Sequence, residues 1–356
     1  MTHPLFKVPI ILEKLNFPPV NQLTFKIHKK EIFDNNKRVQ KLLCILYKNY
    51  KYCNLKPDSD NSWYYNSESD DESDNNLNNN IEFKSDKLHI IYTSSIRKKE
   101  WININNYECV IFDYLKIQSF TRDISKLLNL MKNVYITGNI DLSDNYIPKL
   151  PKKFVENITI RGDLILTNSC IIKLPCNIGD IRVSRHLYLD SNLIQILPKS
   201  IGTLKISGDL DLSNNKLNSL PRTFGHIQIG NNLNLSSNFI TTLPKNIIRI
   251  QVGGDLKLQF NELYFLPDNF ERIQVGGNLE LHYNELYFLP DSFYNIKVGR
   301  DLNLSHNRLL NLPIKFDYIR VGGSLYLNYN ELVKIPGPFY NGYIGGSLYI
   351  SNNPYY

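Results

Sequence analysis

From residue 131 onward apolar residues recur in fixed columns, and the clearest of them is an L-x-L-x-x-N segment. Its Asn falls at 145, 192, 215, 238, 261, 284, 307, 330 and 353, with every interval from 192 onward equal to 23 residues. Ser169 takes the missing place, 24 residues after Asn145 and 23 before Asn192, so one coil carries a one-residue adjustment and a substituted anchor. Five residues after each anchor stands Leu150, Leu174, Leu197, Leu220, Leu243, Leu266, Leu289, Leu312 or Ile335, always followed by Pro. Nine residues after it stands Phe or Ile, from Phe154 and Ile178 to Phe316 and Phe339. These columns predict inward-facing side chains on a short strand followed by a turn. Leu281 and Leu304 should therefore be core residues, while Glu280 faces out.

Seven residues before the anchor lies a Gly-rich column: Gly138, Gly162, Gly208, Gly254, Gly277, Gly323 and Gly346, with Asn231, Arg185 and Arg300 as exceptions. Its composition predicts a backbone bend with positive φ.

The unit VGGNLELHYNELYFLPDSFYNI resembles the leucine-rich repeat family, and the resemblance covers residues 131–356, about ten coils. It implies a solenoid: a right-handed superhelix with a parallel concave sheet, in which each coil shares its core with its neighbours. The I-x-V-G-G start departs from the commonest L-x-x-L-x-L form and is similar to a variant of giant-virus, phage and bacterial repeat proteins. On the convex side it predicts turns and short extended pieces rather than full helices. The anchor column, Asn145, Asn192, Asn215, Asn238, Asn261, Asn284, Asn307, Asn330 and Asn353, reads as a structural ladder bonding the backbone of its own and the adjacent coil.

The first third is organised differently. Residues 1–56, including VQKLLCILYKNY, read as a small N-terminal module, and residues 57–83 as an acidic, Ser/Asn/Asp-rich linker or loop. Residues 84–130 read as an N-terminal cap. There the segment TRDISKLLNLMKN spaces Ile124, Leu127, Leu128 and Met131 as on a helix that covers the open end of the first coil.

Composition narrows the function classes. The 356 residues are 42% hydrophobic and 21% charged and contain no alanine, which fits a globular chain but neither a helical bundle nor a coiled coil. No apolar run approaches the roughly 18 residues of a spanning helix. The start MTHPLFKVPIILEK lacks the pattern of a secretory signal, so the expectation is an intracellular, cytoplasmic protein, in the host cytoplasm if viral. Five cysteines without C-x-x-C pairing predict reduced thiols rather than a zinc site or disulfide framework. The net charge of +7 conceals a split, because residues 57–83 hold eight acids and no Lys or Arg, leaving 41 basic against 26 acidic residues elsewhere. A spread excess of this kind reads as a solvated surface rather than a nucleic-acid footprint.

Catalytic constellations are missing from the sequence. There is no G-x-x-x-x-G-K-[ST] loop, no H-E-x-x-H pair, no G-x-S-x-G elbow and no kinase signature, and neither Cys53 nor Cys109 sits in a nucleophile motif. No cofactor or metal is predicted, since His282 and His306 lack carboxylate or Cys partners in a ligand spacing.

A binding surface is predicted instead. One residue before the anchor the later coils carry Phe260, Tyr283, His306 and Tyr329; four before it they carry Lys257, Glu280, Asn303, Tyr326 and Tyr349. Gln259, His282, Ser305 and Asn328 lie between. The earlier coils place Asp144, Asn168, Ser191, Asn214 and Ser237 where the aromatic ridge runs later, so the ridge is local. Exposed aromatics among polar residues are what protein interfaces enrich. The chain therefore reads as a non-catalytic protein-protein interaction scaffold acting through its concave face. The alternative is a substrate-recruiting adaptor of a ubiquitin ligase type assembly, which would need the N-terminal module to dock a partner; the start VPIILEKLNF is faintly similar to the F-box pattern, too little to carry that reading, and a nucleic-acid receptor ranks third.

Overall fold

The computed structural model describes residues 80–84, 88–93, 110–112, 114–119, 123–129, 131, 134–334 and 342–354. The predicted module 1–56, most of the acidic segment 57–83, Cys53, Cys109, Ile335 and Phe339 lie outside the described residues. The chain divides into two compact units, one reaching Ile171 and including Ile181–Ser184, the other made of Ile172–Asp180 and the chain from Arg185.

In the later unit each repeat contributes one two-residue strand to a parallel sheet, from Leu187–Tyr188 through Leu210–Asp211, Leu233–Asn234, Leu256–Lys257, Leu279–Glu280, Leu302–Asn303 and Leu325–Tyr326 to Leu348–Tyr349. Register is uniform: Leu256 pairs with Leu279 and Leu279 with Leu302, 23 residues on each time. With a side-chain period of 2, this register puts both leucines of each L-x-L on the core side. Leu279, Leu281, Leu302 and Leu304 are all fully buried. Burying one such side chain stabilises by roughly 1.5–3 kcal/mol, and because the leucines of successive coils touch, no coil could keep its core without neighbours.

After each L-P step the chain makes a short 3-10 turn, as at Lys199–Thr203, Arg222–His226, Lys245–Arg249 and Asp291–Asn295. The proline before each of these turns holds an extended conformation, since its ring restricts φ and it has no N–H to offer. The Phe of the turn packs inward, and Phe270, Phe293 and Phe316 form a buried, near-parallel file with ring centroids 6.3 Å apart. The I-x-V-G-G segments then pair as a second parallel sheet of seven strands, from Lys205–Ile206 to Tyr343–Ile344. The side opposite the L-x-L sheet is thus made of turns and short extended pieces, as the repeat predicts.

The Gly-rich column seven before the anchor corrects one expectation, because no described glycine has a positive φ. One residue earlier, Gly230, Gly253, Gly276, Gly299, Gly322 and Gly345 follow Thr137, Arg161, Ser184 and Ser207 of the earlier coils. A Cβ on any of the last five would run into the carbonyl oxygen of the equivalent glycine in the preceding coil. In those later coils glycine answers the close approach of successive backbones, not a bend.

In the other unit, Ile140–Asp141 and Leu164–Ile165 are parallel strands of the same kind. The coil pattern begins earlier than the Asn spacing indicates. Tyr114–Ser119 pairs in parallel with Ile140–Asp141, and Val110–Phe112 pairs in parallel with Val134–Ile136. Of the helix predicted over Ile124–Met131, Ser125–Leu128 is the helical part among the described residues, with Ile124, Leu128 and Met131 buried. Asp123 next to it bridges Tyr146 in parallel, and the edge strand of the L-x-L sheet is met by an antiparallel pair. Leu88–Thr93 pairs with Tyr114–Ser119, and Asn80–Lys84 pairs with Leu88–Thr93. An antiparallel strand satisfies the N–H and C=O groups that a first parallel strand leaves open. Lys152–Asn157 is the one α-helix within an L-P turn among the described residues, burying Phe154 and Val155.

Candidate partner-binding face

Two rows of hydrogen bonds hold the L-x-L sheet rigid. In the first, Asn284 Nδ2 donates to the carbonyls of Leu281 (3.0 Å) in its own coil and Leu258 (3.0 Å) in the preceding one, while its Oδ1 accepts from the Leu263 N–H (3.1 Å). Asn215, Asn238, Asn261, Asn307 and Asn330 repeat this set. Asn353 donates to the Leu327 and Ile350 carbonyls, Asn145 to those of Ile117 and Leu142, and Asn192 to that of Leu189. At the substituted anchor the Ser169 hydroxyl reaches the Leu142 carbonyl at 2.8 Å.

The second row went unread in the sequence. Six residues before the anchor, the side chains of Asp209, Asn232, Asp255, Asn278 and Asp301 each accept the backbone N–H of the equivalent residue one coil later, at 2.7–3.0 Å. His186 Nδ1 plays the same part for Asp209. Its signal was an unbroken column of Asn, Asp, Ser and His.

Between these rows the chain leaves each strand through a left-handed residue, always the one just before the anchor. Asp144, Asn168, Ser191, Asn214, Ser237, Phe260, Tyr283, His306, Tyr329 and Asn352 all have φ between 49° and 57°. For residues other than Gly, Asn and Asp this conformation costs roughly 1–2 kcal/mol. The positive φ expected at the Gly column belongs here, where the turn off the strand is sharpest. It also throws the side chain outward.

At Phe260, Tyr283, His306 and Tyr329 that outward direction creates one continuous stack. Successive ring centroids are 4.7, 4.1 and 4.3 Å apart and the planes lie within 11° of parallel. Phe260, Tyr283 and Tyr329 remain 48%, 45% and 50% exposed. Aromatic pairs return about 0.5–1.5 kcal/mol beyond their burial, which is comparable to the backbone cost, so folding gains little from placing rings here.

His282 meets the edge of this stack, 5.5 Å from Phe260 and 5.7 Å from Tyr283. Its Nδ1 lies 3.0 Å from Glu280 Oε2 without the geometry of a hydrogen bond. The Gln259 Oε1 is buried without a partner. Tyr326 and Tyr349 form a second stacked pair at 4.6 Å. Lys257 Nζ approaches Asp255 at 4.0 Å. Asn303 instead accepts from the Ser305 hydroxyl (2.7 Å), a bracing contact that Ser213–Asp211 and Ser236–Asn234 repeat in the earlier coils. Burial and the nearby His282 lower the His306 pKa below its ordinary value. In the first unit burial acts to raise the Asp141 carboxyl, but hydrogen bonds from Lys116 and Ser143 outweigh it and hold the pKa low.

Sequence reading also missed a feature beyond the anchor. The segment Asn-Glu-Leu-Tyr-Phe-Leu-Pro-Asp occurs identically at 261–268 and 284–291, leaving Tyr264, Phe265, Tyr287 and Phe288 exposed. In the second copy Arg308 of the next coil reaches back, its Nε to the Glu285 carboxylate and its Nη1 donating to the Tyr287 hydroxyl at 3.0 Å. No group of three or more metal-ligating side chains occurs among the described residues, and no helix among them is long and apolar enough to cross a membrane. The F-box-like start VPIILEKLNF lies outside the described residues.

No protein-family model and no curated protein matches the chain. Among solved structures it is similar to a leucine-rich-repeat protein of Leptospira interrogans, 24% identical with a TM-score of 0.44 over 65% of this chain and 64% of that one. A leucine-rich effector protein of Yersinia pestis, YopM, is 18% identical with a TM-score of 0.33 over 62% of this chain and 76% of its own. A leucine-rich repeat protein of Bacteroides eggerthii is 15% identical with a TM-score of 0.35, over 63% and 49% respectively. The chain thus spans less than two thirds of the length of the Leptospira and Bacteroides proteins. With one L-x-L strand per 23-residue coil, stacked in parallel on an Asn row, the protein has the fold of a leucine-rich-repeat solenoid.

Proposed function

We propose that the protein is a non-catalytic, intracellular scaffold that binds a protein ligand on its L-x-L sheet face, with Phe260, Tyr283, His306 and Tyr329 at the centre of the contact. The observation that carries this reading is the ring stack built on left-handed residues. The same backbone accepts Ser191, Asn214 and Ser237, so neither the turn nor the core calls for rings. Half-exposed rings held at a costly conformation, on a sheet made rigid by two hydrogen-bonded rows, are preorganised for contact with something else. Tyr-rich, well-ordered patches are where interface energy concentrates.

The test compares two double variants of the full chain with the parent by affinity capture and quantitative binding of each captured protein. Tyr283→Ser with Tyr329→Ser should weaken a specific partner roughly tenfold to more than a hundredfold. Ser191→Tyr with Ser237→Tyr alters the same column without removing an anchor and should retain the partner. Equal binding by all three proteins would show that the rings merely cover the sheet.

A further inference from the structure

Resting on that reading, we infer that Glu262 and Tyr264 form a receptor for an arginine side chain, and that the partner is an extended, arginine-bearing peptide segment lying along the ring stack. The duplicated octapeptide shows the two sites side by side, one filled. In the copy at 284–291, Glu285 and Tyr287 already hold a guanidinium of this chain: Arg308 pairs through Nε with the Glu285 carboxylate, donates from Nη1 to the Tyr287 hydroxyl and sits 5.7 Å from the centre of its ring. In the copy at 261–268 the same two groups recur as Glu262 and Tyr264, both exposed. The residue one coil on, in the place of Arg308, is Glu285, a carboxylate instead of a cation. Neither the Glu262 carboxylate nor the Tyr264 hydroxyl has a side-chain partner among the described residues. The first copy is therefore a guanidinium site whose guanidinium no described residue supplies.

Chemistry favours arginine over lysine in that place. A planar guanidinium can bond a carboxylate and a hydroxyl at once while lying against the tyrosine ring, whereas an ammonium is a single point charge. Glu262 and Glu285 occupy the same column of adjacent coils, and only Glu285 has a cation of this chain beside it, Arg308. Phe260 lies on the other side of buried Asn261 from Glu262, so one peptide can reach both the receptor and the first ring of the stack.

The test uses the full chain and fluorescein-labelled nona-arginine and nona-lysine peptides, with binding followed by fluorescence anisotropy at about 0.15 M salt, where charges far apart are screened. The parent should bind nona-arginine more tightly than nona-lysine. Glu262→Gln with Tyr264→Phe should weaken nona-arginine roughly ten- to a hundredfold, the range for losing hydrogen bonds to a charged group. Glu331→Gln removes the same charge from the same column in a coil that carries Val333 instead of tyrosine, and should change binding by less than about twofold. Equal losses in the two proteins, or equal affinity for both peptides, would overturn the arginine receptor. If nona-arginine then still depended on Tyr283 and Tyr329, the binding-face reading would stand alone; indifference to those tyrosines as well would remove both.

Discussion

The coils around Ser191, Asn214 and Ser237 and those around Phe260, Tyr283, His306 and Tyr329 share one backbone and present two surfaces. Their φ values at the residue before the anchor are indistinguishable, and their strands pair in the same register. In the earlier set the outward residues are small, and Ser213 and Ser236 spend their hydroxyls on Asp211 and Asn234 of their own strands. In the later set Gln259, His282 and Asn328 replace the serine, Ser305 alone keeps it and its bond to Asn303, and rings replace the small residues. Scaffold and surface are therefore separable here: a left-handed turn fixes where a side chain goes and leaves its identity free.

The comparison would break first in the core if the two sets did not share one. Leu212→Ala and Leu281→Ala, both fully buried at the same column, should each destabilise by roughly 2–5 kcal/mol in chemical denaturation. Glu280→Ala should stay within about 0.5 kcal/mol of the parent. A much smaller loss at Leu281 than at Leu212 would mean that the later coils owe their stability to the surface.

A smaller effect sharpens the surface side. Tyr283→Asn relieves a left-handed backbone that costs roughly 1–2 kcal/mol and forfeits two stacking contacts of about 0.5–1.5 kcal/mol each. The two nearly cancel, so the unfolding free energy from urea titration should change by about 1 kcal/mol or less in either direction. A loss as large as that of Leu281→Ala would make the stack a structural element after all.

The smallest expected effect is on pH dependence. The folded pKa of His306 is lowered from its ordinary 6.5, by burial and then by His282. The unfolded chain therefore takes up that proton first, and acid works against folding. Stability should be unaffected well above pH 6.5, fall as the pH drops through that value, and level off below the folded pKa. In His306→Phe, which keeps a ring in the stack, this part of the loss should vanish from melting curves recorded across the window. An unchanged profile would mean that the imidazole is not held neutral by its neighbours.

Much of the solenoid was legible because its information is local and repeated. A leucine every second residue and a polar anchor every 23 can be counted along the chain. The inward columns and the Asn bonding pattern follow from strand periodicity and from buried backbone groups needing partners. The candidate face was legible only as a set of columns. Nothing in the spacing of Phe260, Tyr283, His306 and Tyr329 states that they sit in left-handed residues, although Asp144, Asn168 and Asn214 in the same column are the residue types that tolerate that conformation best.

By itself the sequence determined the repeat, the direction each column faces, and the half of the protein that carries rings. The tertiary structure decided what depends on how closely neighbouring coils approach. It showed that from Gly253 on the backbones of successive coils come too close for a Cβ, that the hairpin of Asn80–Lys84 and Leu88–Thr93 lies on the edge of the strand Tyr114–Ser119, and that Arg308 folds back onto Glu285 and Tyr287. The reason is physical. Periodicity is a property of one coil and is written in its residues, whereas close approach, ring overlap and an arginine reaching across coils exist only once two coils are stacked.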